Sequence, residues 1–217
     1  MGIAAIFDWD GTLVDSSAAH KWSWEKLAEE EDLKLPPNHF TKSFGYTNPK
    51  IIREIYAWSE DPDEMTRLGD RKEELYRAKL QTMQLKPLPG VLPFLQALRD
   101  AGVPCAIGTS TPRENIRVAA RAAGLNGYFA ASTCGDEVKH GKPDPEVFLR
   151  CAWKLGVQPQ HCVVFEDAPH GLEAAKNAQM TAIGLTTTHP ARDLPQADLT
   201  IDTFHELSAS GLKFLLR

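Results

Sequence analysis

Beyond residue 90 the chain alternates short apolar runs with stretches of helical periodicity, and this rhythm restricts the fold more than any other feature. The runs at 103–108, 128–133, 162–165, 181–185 and 199–201 have strand length and strand composition. Between them, Val91, Leu95 and Leu98 mark a helix closed by Gly102, and Asp144-Pro145 opens another that Gly156 ends. Strands separated by whole helices cannot pair as hairpins, so they predict a parallel sheet built by crossover connections. The run at 3–7 adds one more strand, unbroken in its apolar character and therefore covered on both faces.

The segment from Asp15 to about Lys86 departs from the rhythm and contains only helix signals. Ser16 or Ser17 is placed to cap a helix carrying Trp24, Leu27 and Ala28. Asn48-Pro49 reads as N-cap and first helical residue, and Asp61-Pro62-Asp63-Glu64 repeats the device with Glu64 set for a capping box. In the helix after Asp61, Met65, Leu68, Lys72, Leu75 and Lys79 share one stripe, so Lys72 interrupts an apolar seam. Two readings of Lys72 stand side by side: a buried stem with its ammonium in water, or an inward contact with an anion. Pro87-Leu88-Pro89-Gly90 closes the block and has the composition of a hinge.

The net charge of -5, with Lys and Arg scattered along the chain, provides no basic stripe for nucleic acid or an anionic membrane, so a small-molecule partner is expected. The four cysteines are far apart in sequence, which predicts reduced, buried thiols rather than a zinc site. No basic leader runs into a long apolar stretch near the start, and no 18-residue apolar run occurs elsewhere. These features predict a cytoplasmic protein, and the lack of a leftover apolar helix face predicts a monomer.

Ligands of open parallel sheets bind outside the carboxyl ends of the strands. Asp8 and Asp10 stand at the first of these ends, followed by Gly11, which permits a tight turn. Thr109 and Ser110 lie at another, ahead of Thr111-Pro112-Arg113-Glu114, which reads as N-cap, N1 proline and capping-box glutamate. Lys142 is held between Gly141 and Pro143 just before a helix, and Glu166-Asp167 ends a further strand. Singly, each has a plain structural explanation as a turn, a solvated loop lysine or a solvated acidic pair. Together they supply four carboxylates for one hard divalent cation, and hydroxyls, a lysine and a helix N-terminus for a phosphate.

The order and spacing of Asp8-Trp9-Asp10-Gly11-Thr12, Thr109, Lys142 and Glu166-Asp167 resemble the haloacid dehalogenase superfamily of phosphotransferases. The resemblance runs the whole length, including the Gly141-Lys142-Pro143-Asp144-Pro145 phrase and the helical segment directly after the first motif. Within the superfamily the chain looks most like beta-phosphoglucomutase-like proteins and their sugar-phosphate phosphatase relatives. The resemblance implies an α/β fold: a Rossmann-like three-layer parallel-sheet core at 1–14 and 88–217, with an inserted all-helical cap domain at 15–87.

It also implies a division of labour. Asp8 would be the nucleophile that forms an aspartyl-phosphate, and Asp10 the acid and base; Thr109, Ser110 and Lys142 would hold the phosphate. Mg2+ would be bound by Asp8, the backbone carbonyl of Asp10, Asp167 and Glu166. Asp10 argues for phosphoryl chemistry, because releasing halide needs no acid at the leaving group. Thr111 either assists with phosphate or only caps its helix, and His170 is expected to be structural. In the cap, His20, Lys72 and Asn48 are the candidate substrate contacts, although His20 is equally an ordinary polar helix position. Mutases of this type carry an arginine shortly after the cap glycine, where this chain has Gly45-Tyr46-Thr47-Asn48-Pro49. The expectation is therefore a Mg2+-dependent phosphatase of a small phosphorylated metabolite such as a sugar phosphate. A beta-phosphoglucomutase-type phosphotransferase and a non-catalytic phosphate-binding protein are the alternatives.

Overall fold

The structure, a computed structural model, describes residues 2–215, with side chains as far as Leu212. The core expected at 1–14 and 88–217 thus begins and ends on residues, 1, 216 and 217, that lie outside the described ones. Strand β1 (Ala4–Phe7) is followed by four helical pieces: α1 (Ser17–Glu30), α2 (His39–Ser43), α3 (Asn48–Lys50), which runs into a π-helical turn at Ile51–Ile55, and α4 (Pro62–Leu80). Next come α5 (Val91–Asp100), β2 (Cys105–Gly108), α6 (Arg113–Ala122), β3 (Ala131–Thr133) and α7 (Glu146–Leu155). The chain ends with β4 (Cys162–Glu166), α8 (Pro169–Asn177), β5 (Thr181–Leu185), β6 (Leu199–Ile201) and α9 (Ala209–Leu215).

The six strands form one parallel sheet in the order β3-β2-β1-β4-β5-β6. Alternation along β1 sorts its side chains between two cores: Ala5 and Phe7 pack with α5, α6 and α9, while Ala4 and Ile6 pack with α7 and α8. Phe7 stacks on Phe165 of β4 with ring centroids 4.6 Å apart, and Phe94 and Phe204 close over the pair. This is the three-layer Rossmann-like arrangement expected, and the helical insert between β1 and β2 has its own apolar centre of Trp24, Leu27, Ile52, Leu68 and Leu75.

Sheet order also fixes where a ligand belongs. The chain winds one way from β1 through β2 to β3 and the other way from β4 through β5 to β6, so the switch falls between the neighbours β1 and β4. The two passages between sheet and insert lie side by side: Val14 bridges Pro87, and the Leu88 amide donates to the Leu13 carbonyl at 2.9 Å.

Several local expectations are corrected. Ser16 precedes α1 but makes no cap bond, and its hydroxyl turns instead to Asp10. Thr47, not Asn48, precedes α3, leaving Asn48 as its first residue. Asp61 does cap α4, accepting from the amides of Asp63 at 2.9 Å and Glu64 at 3.0 Å, but Glu64 pairs with Arg67 instead of closing the box. Pro112 occupies the cap position of α6, because the Thr111 hydroxyl is also taken by Asp10. The strand expected at 128–133 is only Ala131–Thr133, since Tyr128 and Phe129 pack against the core beneath it. All four cysteines are free and buried. Among the described residues no helix is long and apolar enough to cross a membrane.

Candidate active site

Asp8 leaves β1 at the switch point, its amide donating to the Phe165 carbonyl at 2.9 Å, which brings it beside the end of β4. There Lys142, 4% exposed in the loop before α7, donates to Asp8 Oδ1 at 2.7 Å and to Glu166 Oε1 at 2.5 Å. The other Glu166 oxygen accepts the amides of Asp167 at 2.8 Å and Ala168 at 2.9 Å. Asp167 is steadied by the hydroxyls of Thr12 and Thr188. Two glycines make room for these acids. Gly11 has φ +81°, and a Cβ there would lie 2.2 Å from Asp167 Oδ2; a Cβ on Gly171 would lie 1.8 Å from Glu166 Oε1.

Asp8, Glu166 and Asp167 each bring one oxygen within 4.8 Å of the others, in a buried cluster with one ammonium. Burial pushes the Asp8 carboxyl up to about 7, although Lys142 pulls it down, and raises Asp167 with help from the charges of Glu166 and Asp8. Burial works against the Lys142 ammonium, but the charges of Asp8 and Glu166 outweigh it and raise its pKa. Three buried acids facing one cation, all offering oxygen, are a donor set that fits a hard divalent metal ion.

Asp10 is in different company. Hydroxyls of Ser16 and Thr111 donate to its two oxygens, and His20 Nε2 lies 3.1 Å from Oδ1, close enough to pair but not aligned for a hydrogen bond. Burial alone would raise this carboxyl, yet the neighbouring His20 and the hydroxyls of Ser16 and Thr111 bring it to about 2. On the far side of the ring, Lys72 Nζ is 2.9 Å from His20 Nδ1. An ammonium has no lone pair, so Nδ1 must accept, and a neutral ring carries its proton on Nε2, facing Asp10. Tyr76 stacks on the same ring with centroids 4.1 Å apart.

The two readings of Lys72 are thereby decided: it is 2% exposed and makes the inward anion contact, donating to Glu73 Oε1 at 2.9 Å. Glu73 also accepts from Asn48 Nδ2 at 2.7 Å and from Asn115 Nδ2 of α6. Arg77 in turn donates to Asn115 Oδ1 at 2.8 Å, so both ends of one amide on a sheet-layer helix are held by α4 of the insert.

Seven of the residues singled out from sequence, Asp8, Asp10, Thr109, Ser110, His20, Asn48 and Lys72, line one cavity between sheet and insert. Lys142 and Glu166 join it through Asp8, with Asp167 in the same acid cluster. Thr109 is buried with Oγ1 accepting the Thr111 amide at 3.1 Å. His170 bonds to no acid: Nε2 lies 3.0 Å from the Gly45 carbonyl and its ring stacks on Tyr46, the structural part expected. Sequence reasoning missed Glu73, Asn115 and the use of Ser16 and Thr111. Asn115 carried a signal, since it shares the buried face of α6 with Ala119, four residues on.

Comparison with known proteins agrees with this geometry. A haloacid dehalogenase-like hydrolase model matches residues 4–179. The chain is 33% identical over 215 residues to the chloroplastic 5-amino-6-(5-phospho-D-ribitylamino)uracil phosphatase of Arabidopsis thaliana, covering 98% of this chain and 57% of that one, so it spans little more than half of that relative. It is 33% identical over 179 residues to the fructose-1-phosphate phosphatase YqaB of Escherichia coli (strain K12), covering 82% of this chain and 93% of that one. In structure it matches beta-phosphoglucomutase from Clostridium difficile with a TM-score of 0.87 at 24% identity, covering 100% of this chain and 97% of that one, a likeness of fold. With the model spanning both the acid cluster and the insert, the chain belongs to the haloacid dehalogenase-like hydrolases.

Proposed function

We propose that the chain is a Mg2+-dependent phosphatase of a small phosphorylated metabolite, a sugar or polyol phosphate, working through a phosphoryl group carried on Asp8. The observation that carries this reading is the separation of two aspartates only two residues apart. Asp8 shares Lys142 with the buried acids, while Asp10 is held by Ser16, Thr111 and His20. One environment suits a nucleophile, the other a proton carrier.

In this reading an Asp8 oxygen attacks phosphorus in line and the alkoxide leaves. Lys142, Thr109 and Ser110 hold the transferring oxygens and offset their charge. A divalent cation bound by Asp8, Asp167 and the Asp10 carbonyl, with Glu166 beside them, would neutralise further phosphoryl charge and keep Asp8 ionised. Both Glu166 oxygens already accept hydrogen bonds, so its main part is to fix Lys142. Asp10 gives a proton to the leaving oxygen and then takes one from the water that hydrolyses the acyl phosphate. Asp10 is ionised at its low pKa, so the proton that it hands to the leaving oxygen is taken up from solvent before the site closes, with Ser16, Thr111 and His20 Nε2 fixing the carboxylate in place. The segment 15–87 acts as a cap, hinged on the paired passages at 13–14 and 87–88, that closes over the cavity and excludes water.

The phosphatase relatives support hydrolysis, and the absence of an arginine at Gly45–Asn48 speaks against a mutase, which must grip a second phosphate. Incubation with Mg2+ and beta-glucose 1-phosphate, with and without the 1,6-bisphosphate, separates the readings when inorganic phosphate and glucose 6-phosphate are followed independently. Release of phosphate supports the phosphatase. Glucose 6-phosphate without phosphate release would identify a mutase, and inactivity toward a broad phosphate-ester panel would point to a binding protein.

A further inference from the structure

The cavity has two ends of different electrical character. At the reacting end, Asp8 carries Lys142, and Thr109 and Ser110 stand close by. At the insert end, the basic groups among the lining residues are Lys72 and His20, and each already faces a carboxylate. Lys72 is bound to Glu73, which is itself 5% exposed and held from the other side by Asn48 and Asn115. The other lining residues of that end are uncharged, Ser43, Tyr46 and Asn48 among aromatic rings of Trp24, Phe40 and Phe44; Lys50 stands outside the lining, its Nζ 4.4 Å from the centroid of the Tyr46 ring.

We infer that Glu73 is a specificity residue that cancels the charge of Lys72, so that the enzyme accepts phosphomonoesters whose far end is neutral and hydroxyl-bearing and rejects those ending in a second phosphate or carboxylate. This rests on the phosphatase reading and refines its substrate class. A second anionic group brought to the insert end would have to displace Glu73 from a buried ion pair or lie beside its carboxylate, and neither is compensated. A sugar or polyol hydroxyl can exchange hydrogen bonds with Asn48, Ser43 and Tyr46 and lie against the aromatic rings without disturbing the pair. Replacing the Glu73 carboxylate by an amide leaves the Lys72 ammonium buried and uncompensated, which makes it an anion site.

The test compares wild type and Glu73→Gln on matched esters: fructose 1-phosphate against fructose 1,6-bisphosphate, and glycerol 3-phosphate against 3-phosphoglycerate, with para-nitrophenyl phosphate reporting the chemical step. Wild type is expected to favour the neutral-ended member of each pair. Glu73→Gln is expected to shift the kcat/KM ratio toward the anionic member by about tenfold or more. A variant that loses activity on both members equally, leaving the ratio unchanged, would make Glu73 merely structural and overturn the inference. If Glu73→Gln does not fold, wild type alone decides, because equal or better hydrolysis of the anionic members overturns the inference without any variant. Activity on para-nitrophenyl phosphate with no preference for neutral-ended esters sinks the inference and spares the phosphatase reading, whereas inactivity on every ester sinks both.

Discussion

Replacing Asp8 with asparagine should end turnover and yet stabilise the metal-free protein. Asp8 is 7% exposed, and burial together with the charges of Glu166 and Asp10 moves its carboxyl from 3.8 to about 7 despite Lys142. A raised folded pKa means that stability is greatest below the unfolded value and falls as pH climbs through the folded one. By linkage, ionising Asp8 in the folded state costs ~4 kcal/mol at pH 8. That cost is already net of the attraction to Lys142, for which the asparagine oxygen keeps a neutral acceptor. A gain of up to ~4 kcal/mol follows, or roughly 8–16 °C in Tm for a chain of this size. At pH 5 the folded Asp8 is still protonated while the unfolded one is ionised, so the advantage should shrink to ~2 kcal/mol or less. Thermal melts of wild type and Asp8→Asn in a chelating buffer at pH 5 and pH 8 check this. Equal melting temperatures at pH 8, or a difference that ignores pH, would refute the idea that the cluster carries excess buried negative charge.

Other consequences are as definite. Thr111→Val removes a hydroxyl donor from Asp10, so its pKa of about 2 should rise toward 3.8 and move the acidic limb of the rate–pH profile upward. The same depressed carboxyl contributes ~2 kcal/mol of stability that is present above its ordinary value and lost as pH falls through the folded one; acid-denaturation curves of the variant should show part of that loss. Asn115→Leu unties Glu73 and Arg77 from α6 and should raise KM on the order of tenfold or more while leaving the acid cluster intact, which steady-state kinetics would show. Gly11→Ala adds a Cβ 2.2 Å from Asp167 Oδ2 at a φ of +81°, so Mg2+ should raise the Tm of wild type in thermal melts and leave that of the variant unchanged.

Much of the architecture was legible because strands and crossover helices leave local marks. The run at 3–7 emerged as β1 and the runs beyond residue 90 as the remaining strands, and most of the chemistry-bearing residues stand just past the end of one of them. What escaped was long-range. Ser16 and Thr111 looked like caps, since a hydroxyl ahead of a helix serves a backbone amide or a distant carboxylate equally well. The choice of Asp10 depends on contacts that the sequence does not display. The Glu73–Asn115 bond joins residues 42 apart, across the boundary between insert and sheet layer. Lys72 was half visible: its place in the apolar stripe announced an anomaly, but the anion that accommodates it is the adjacent Glu73, a residue that reads as ordinary helix surface.

The most direct test of the account is to trap the covalent step. Wild type, mixed briefly with Mg2+ and a phosphomonoester that it hydrolyses and then quenched into borohydride, should yield a tryptic peptide reduced to homoserine at position 8. Asp8→Asn should give neither that product nor phosphate release. Reduction at another residue, or turnover retained by Asp8→Asn, would contradict the assignment of Asp8 as the phosphoryl carrier.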